Sequence, residues 1–407
     1  MDRRFLLKAG FSAVVGSAIS GAALADEPVR DIRAISDFDE LWSTLDRQYC
    51  FFAEKRTDWN RVREVYRPMA QAAQTYEELV EIVRRVLAEL YDPHTSMSGL
   101  PDGSQRGPIS DLIAEWRNGQ ARISAISDDS VAAQAGLAIG DVILSVGGRP
   151  VEAVMRELMP QCLTAPDPEA TAYALNSALA GLRGQDRRYQ VSRGRAAPRE
   201  VILINQPRPA RPNVEWRRLD DGAGYIAIRS FEDDAVTERF DQALVELRDA
   251  PGLIVDARYN GGGDTAVARP IMGRFITETK PYAMMRRREG SGLGGFWTET
   301  VDPRGPFTYT RPVVVLANHW SGSMAEGFPM GMRGIGRATV VGTPMMGLGA
   351  AVFPVVLDRT GIRAQYSAEP VYDVNRQPRW LMQPDVAVPD GQDILAAGQR
   401  TLASLIG

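Results

Sequence analysis

Three short apolar runs, Tyr225 to Ile228, Leu253 to Asp256 and Val313 to Ala317, alternate with helical patterns in the second half of this 407-residue chain. A helix through Val236, Phe240, Leu244 and Leu247 separates the first two, and further helices are expected after Gly263 and after Ser323. Strands spaced by helices predict an α/β domain with a largely parallel sheet, because parallel neighbours need a crossover between them. The stretch Ile394 to Ile406 is amphipathic and is expected to pack on that core.

Upstream the pattern changes twice. From Ile35 to Tyr91 it is helical, with Ser36 a candidate cap, and Thr75 with Glu78 forms a capping-box pattern before Leu79, Ile82, Val83, Val86, Leu87 and Leu90. That helix must stop before Asp92-Pro93, which leaves His94 on a loop. Pro101 to Gly107 breaks the chain, and Asn118-Gly119 then signals a hairpin between Ile113 to Arg117 and Ala121 to Ile126. The run from Ser130 to Gly148 has a short helix closed by glycine, a Gly-Asp turn, an apolar strand and a Gly-Gly turn, and it resembles the centre of a PDZ domain. Such domains bind extended peptides at a sheet edge. Tyr189 to Val191 and Val201 to Ile204 offer closing strands, and Pro207, Pro209 and Pro212 mark the next boundary. The expected organisation is a leader over 1–25, a helical region over 26–105, a PDZ-like domain over 106–206 and the α/β domain over 207–407.

The leader follows from Arg3-Arg4-Phe5-Leu6-Leu7-Lys8, a weakly apolar stretch from Ala9 to Ala25, and small residues at Ala23 and Ala25. Paired arginines look like a twin-arginine export signal, so a mature chain beginning near Asp26, periplasmic or secreted and without a stable membrane span, is expected. A net charge of -4 gives no basic excess for nucleic acid. Two histidines and two cysteines, Cys50 and Cys162, build neither a usual zinc site nor a disulfide framework, and no metal or cofactor is implied.

Ser323 stands where the strand Val313 to Ala317 hands over to a helix, a place that suits a nucleophile. Ser323-x-x-Glu326 also fits a capping box, in which both residues merely satisfy backbone donors. Asp256 to Gly263 follows a buried strand, and its three glycines let backbone N–H groups approach either a phosphate or an oxyanion. No Gly-Lys-Ser/Thr follows, which excludes a Walker loop.

Together, Gly224 to Phe231, Asp256 to Gly263, Ser323-x-x-Glu326 and Gly342 to Gly349 resemble the C-terminal-processing (tail-specific) serine peptidases. The resemblance implies a ClpP/crotonase-like sheet, polypeptide substrates, Ser323 as nucleophile, and the N–H groups of Gly262 and Met324 as oxyanion donors. It also implies a lysine base in the last motif, where this chain has Leu348. The only lysines are Lys8, Lys55 and Lys280, and arginine does not deprotonate in proteins. Leu-Tyr-Asp-Pro-His-Thr resembles instead the tricorn-core branch, which implies His94 as general base, with activity rising near an ordinary imidazole pKa of ~6.5. His319 is the rival base. Glu326, Asp92 and Asp264 are the candidate carboxylates to orient the imidazole. Two other readings remain: a peptide-binding scaffold without catalysis, and a Ser/His hydrolase of non-peptide acyl substrates.

Overall fold

The apolar runs of the second half become neighbours in one sheet. The computed structural model describes residues 31–128, 130–206 and 211–407, with side chains from residue 35. The leader over 1–25, the expected start near Asp26, and Pro207 and Pro209 lie outside the described residues. In order across the sheet the strands are Val386–Ala387, Thr339–Gly342, Val313–Ala317, Leu253–Asp256, Gly224–Ile228 and Val214–Arg218. All pairs are parallel except the last, where Val214–Arg218 runs antiparallel to Gly224–Ile228.

Every residue of Gly224–Ile228, Leu253–Asp256 and Val313–Ala317 is buried, as a parallel sheet covered on both faces requires. One face packs on Val236, Phe240, Phe275 and Phe328, the other on Val388, Ile394 and Leu402. The helices Ala235–Glu246, Thr265–Met272 and Met324–Gly334 cover the first face, and Ile394–Ile406 covers the second. Asp256 sits opposite both Leu316 and Ala227, so the carboxyl ends of these strands are level. That register places the glycine-rich turn beside the segment that carries Ser323.

A second sheet was not legible from the sequence pattern. It joins Lys280–Met285, Trp297–Val301, Ala350–Val356 and Arg363–Tyr372, with the two-residue strand Ser96–Met97 on its edge. The helices Asp31–Gln48, Trp59–Ala72 and Tyr76–Ala88 pack against it through Phe38, Leu41, Leu45, Val62 and Val83, which meet Ala364, Tyr366 and Ala368. Ser36 is not a cap, because the first helix already runs from Asp31. The next residue, Asp37, reaches instead to the amides of Arg359 and Thr360 at 3.0 and 2.9 Å. Thr75 does cap: its hydroxyl accepts from Glu78 N at 3.2 Å, and Glu78 accepts in return from Gln74 N at 2.6 Å.

Between these parts sits a six-stranded antiparallel sheet, a meander of five strands with Arg149–Pro150 paired beside Val142–Val146, and two helices, Val151–Leu158 and Pro168–Ala180, pack against it. Its first hairpin, Leu112–Arg117 to Gln120–Ile126, turns at Asn118 and Gly119, whose φ values of 51° and 73° make a primed turn. Cys50 and Cys162 are both free and buried. Among the described residues, no helix is long and apolar enough to cross a membrane.

Candidate active site

Between the end of Val313–Ala317 and the helix Met324–Gly334, the chain turns under tight control from the neighbouring glycine-rich loop. Asn318 Oδ1 accepts from Trp320 N and from Tyr259 N, at 3.1 and 3.2 Å. Ser321 Oγ donates to Ala257 O at 2.8 Å, and Gly322 N donates to Asn260 O at 2.9 Å. The two loops therefore form one hydrogen-bonded unit.

Ser323 emerges from this turn with φ 54° and ψ -117°, a backbone conformation that non-glycine residues rarely adopt. It makes no side-chain cap bond, so the capping-box alternative fails. Glu326 does not cap either. Its Oε1 accepts from Leu348 N at 2.9 Å and its Oε2 faces Arg379 Nε at 3.5 Å. Holding Ser323 in this conformation costs on the order of 1–3 kcal/mol, and such strain concentrates where a side chain must be aimed.

Gly262, at φ 109°, is pressed against the serine: a Cβ there would lie 2.7 Å from Ser323 Cβ and 3.0 Å from Met324 N. Only a bare backbone fits. The Gly262 amide donates to Asn260 Oδ1 at 2.8 Å, whereas the Met324 amide, first in its helix, has no acceptor among the described residues. Of the two amides assigned by resemblance, Met324's is thus open and Gly262's is already engaged. Gly262→Ala must displace the serine, and a shift of about 1 Å at a reacting atom costs about 10²-fold. The expected result is a fall of that order in turnover, exceeding any change in melting temperature.

His94 is carried on the loop after helix Tyr76–Ala88, and Asp92 organises that loop. Asp92 accepts from His94 N at 2.9 Å, from Thr95 Oγ1 at 2.7 Å and from Ser367 Oγ at 2.7 Å. Gln365 Nε2 holds the His94 carbonyl at 3.1 Å. The imidazole is buried, and its Nδ1 has no hydrogen-bond partner among the described residues. Burial pushes its pKa down to about 4, helped by the Arg379 charge and opposed by the Asp92 carboxylate and the Ala350 backbone. His94 is therefore neutral at pH 7 and able to accept a proton.

That depression corrects the expected pH response. If His94 is the base, kcat/KM should rise through about pH 4 rather than 6.5, and a pH profile on a peptide substrate checks this. The stability sign is the same. The unfolded imidazole binds a proton below ~6.5 and the folded one only near its lowered value, so stability present above ~6.5 is lost as pH falls across that window.

Arg379 links the two halves of the site. It is buried, and it donates to the carbonyls of Leu348 and, at 3.2 Å, Ala350. Burial raises the Glu326 carboxyl to about 7, against the opposing pull of Arg379 and the amides of Leu348 and Gly347. Glu326 thus positions the Leu348 backbone, and no bond from it to His94 is present among the described residues. Asp92 holds the His94 backbone amide and its charge bears on the ring, while no carboxylate bonds the imidazole among the described residues. Arg379 has no signature in the sequence that would have exposed it.

The other candidates have settled partners. His319 Nε2 meets Asp390 Oδ1 at 2.7 Å. Asp264 caps the helix Thr265–Met272 by accepting from Ala266 N. Buried Asp256 takes two bonds from the Arg258 guanidinium, at 2.9 and 2.8 Å, one from the Arg258 amide at 2.9 Å and one from Tyr225 OH at 2.6 Å. Lys280 is partly exposed and sits 3.9 Å from Glu278. No group of three or more His, Cys, Asp or Glu residues suited to a metal occurs among the described residues.

A cleft of about 450 Å³ runs from the helical region past the meander to Met346 and Leu348. Two bonds tie the meander to the site loops: Trp320 Nε1 donates to Ser110 O at 2.7 Å, and Tyr259 OH to Asp128 Oδ2 at 2.5 Å.

Comparison with known proteins matches residues 222–388 to peptidase family S41, residues 35–88 to the tricorn protease C1 domain and residues 122–158 to a PDZ domain. Tricorn protease homolog 1 of Streptomyces coelicolor is 25% identical over 348 residues, covering 79% of this chain and 29% of that protein. The carboxy-terminal processing protease CtpB of Bacillus subtilis is 25% identical over 285 residues, covering 67% of this chain and 55% of that protein. The chain thus spans less than two thirds of either relative. Among solved structures, mature CPAF shares the fold with a TM-score of 0.62 at 16% identity, over 92% of this chain and 96% of that one.

Proposed function

Because this chain belongs to peptidase family S41, with a tricorn C1 segment and a PDZ domain ahead of its catalytic sheet, we propose that it is a serine endopeptidase using Ser323 and His94. Ser323 Oγ attacks a peptide carbonyl while His94 takes the hydroxyl proton, and the developing oxyanion is held by the Met324 amide beside the glycine turn. Collapse breaks the C–N bond, the proton passes from His94 to the leaving amine, and water, activated by the same imidazole, releases the acyl group. The observation that carries this reading is the Ser323 backbone, strained to positive φ with no cap to make. Leu348, whose amide Glu326 holds, packs toward Gly322, the residue before the serine.

Fluorophosphonate labelling of the native chain, Ser323→Ala and His94→Ala tests it. The native chain is expected to label and both variants to fail; equal labelling of all three ends the proposal. One observation favours the scaffold reading, the engagement of the Gly262 amide by Asn260. That reading requires no labelling and no digestion of casein at any pH.

The Arg3-Arg4 leader supports export to the periplasm or beyond. Arg3→Lys with Arg4→Lys is expected to hold an uncleaved precursor in the cytoplasm, read by fractionation and immunoblot.

A further inference from the structure

The cleft beside the candidate site has a chemistry of its own. Met346 and Leu348 line it, and the same two side chains stand against the residue before the serine: a Cβ on Gly322 would meet Met346 Sδ at 2.6 Å and Leu348 Cδ1 at 3.2 Å. Met346 and Leu348 therefore stand between the cleft and the turn that carries Ser323. Its volume of about 450 Å³ falls inside the roughly 300–1,000 Å³ of sites that hold a small ligand, enough for a short peptide stretch.

Its banks are apolar and uncovered. Ile109, ahead of the meander, is 48% exposed, and Leu381, just after Arg379, is 64% exposed, although both are large hydrophobic residues. Neither is covered among the described residues, and each lines the same cleft. Trp320 adds an aromatic wall fixed by its bond to Ser110.

Charge narrows the occupant further. Lys55 is the only lysine or arginine in the lining, and it is already taken: its Nζ lies 3.2 Å from Glu169 and 4.3 Å from the centre of the Tyr91 ring. Glu54 and Asp92 line the same space, so carboxylates outnumber the cation. A substrate carboxylate would find Lys55 and His319 of the lining already held by Glu169 and Asp390, and would face like charge.

We infer that this cleft is the subsite that selects bulky apolar side chains next to the cut bond and rejects acidic ones, with Leu348 as a specificity wall where the family resemblance places a lysine. The inference rests on Ser323 being the nucleophile. It gives Leu348 a reason to be apolar rather than merely not basic. The selection follows from desolvation, since burying a Leu or Phe side chain raises affinity roughly tenfold or more.

The test uses the full chain carrying Ser323→Ala and two peptides blocked at both ends, one with a Leu-Phe-Leu centre and one with Asp-Phe-Asp. Titration calorimetry is expected to show the apolar peptide binding at least about tenfold tighter. Ile109→Asp and Leu381→Asp, at exposed positions, should each abolish that preference while the melting temperature stays unchanged. Equal binding of the two peptides, or a preference that survives both Asp variants, overturns the inference. Casein digestion by the native chain reads the underlying activity separately. Selective binding without digestion keeps the selective cleft and removes the peptidase; digestion without selectivity removes the subsite and keeps the peptidase.

Discussion

Ser323→Ala is expected to lower kcat on a peptide substrate by on the order of 10⁶-fold, and His94→Ala by a similar factor, as residues acting as one unit do. The diagnostic quantity is the double variant. If the imidazole serves only to take the serine proton, removing it from a chain that already lacks the serine should cost almost nothing further. Two losses that multiply would instead assign His94 a role independent of Ser323. KM should change little in the single variants, because neither residue lines the cleft inferred to take the substrate side chain. A His94→Ala chain that retains native kcat would remove the imidazole from the mechanism.

Arg379→Met is expected to destabilise the fold by about 3–5 kcal/mol, read as a lowered urea midpoint with an unchanged slope. The guanidinium is buried, faces Glu326 at 3.5 Å and holds the carbonyls of Leu348 and Ala350. Methionine fills most of the volume but leaves the carboxylate unpaired and two carbonyls without donors. Much of the cost comes from leaving the buried Glu326 carboxyl, already raised to about 7, without the cation that faced it. Adding Glu326→Gln should therefore recover part of the loss, a coupling that a double-mutant cycle measures. If the two substitutions simply add, the pair is not acting as one buried unit.

The sequence spoke clearly where local rules decide. Asn118-Gly119 specified its turn, Thr75 and Glu78 specified a helix start, and all-apolar strands with helices between them specified the parallel sheet. It was silent about the antiparallel sheet, whose strands carry Pro281, Pro354 and Pro370. Proline inside a run argues against a strand by local criteria, and only pairing with distant segments overrides that. In the site, the segment holding Ser323 and the glycine turn was readable, but its finer geometry was not. Ser-x-x-Glu spells a cap in any local reading, and the positive φ that cancels it comes from bonds to Asn260 and Ala257 in another loop. Glu326 looked like a partner for the imidazole because its true partner, Arg379, lies 53 positions away in sequence and nothing local announces a buried guanidinium.

The N-terminal helices are synthesised long before the surface that covers them. Asp37 bonds to the amides of Arg359 and Thr360, Cys50 N donates to Ser367 O, and Ser96 pairs with Gln365, so their burial waits for a strand roughly 270 to 320 residues downstream. Until Arg363–Tyr372 exists, Phe38, Leu41 and Leu45 present an uncovered apolar face. Loop closure over such a span is slow, and exposed apolar surface in the interval invites aggregation. The loop that carries His94 inherits the same delay, because Ser367 and Gln365 hold it. A nascent chain can thus complete the Ser323 turn before its candidate base is in place, which would keep a hydrolytic site silent during synthesis.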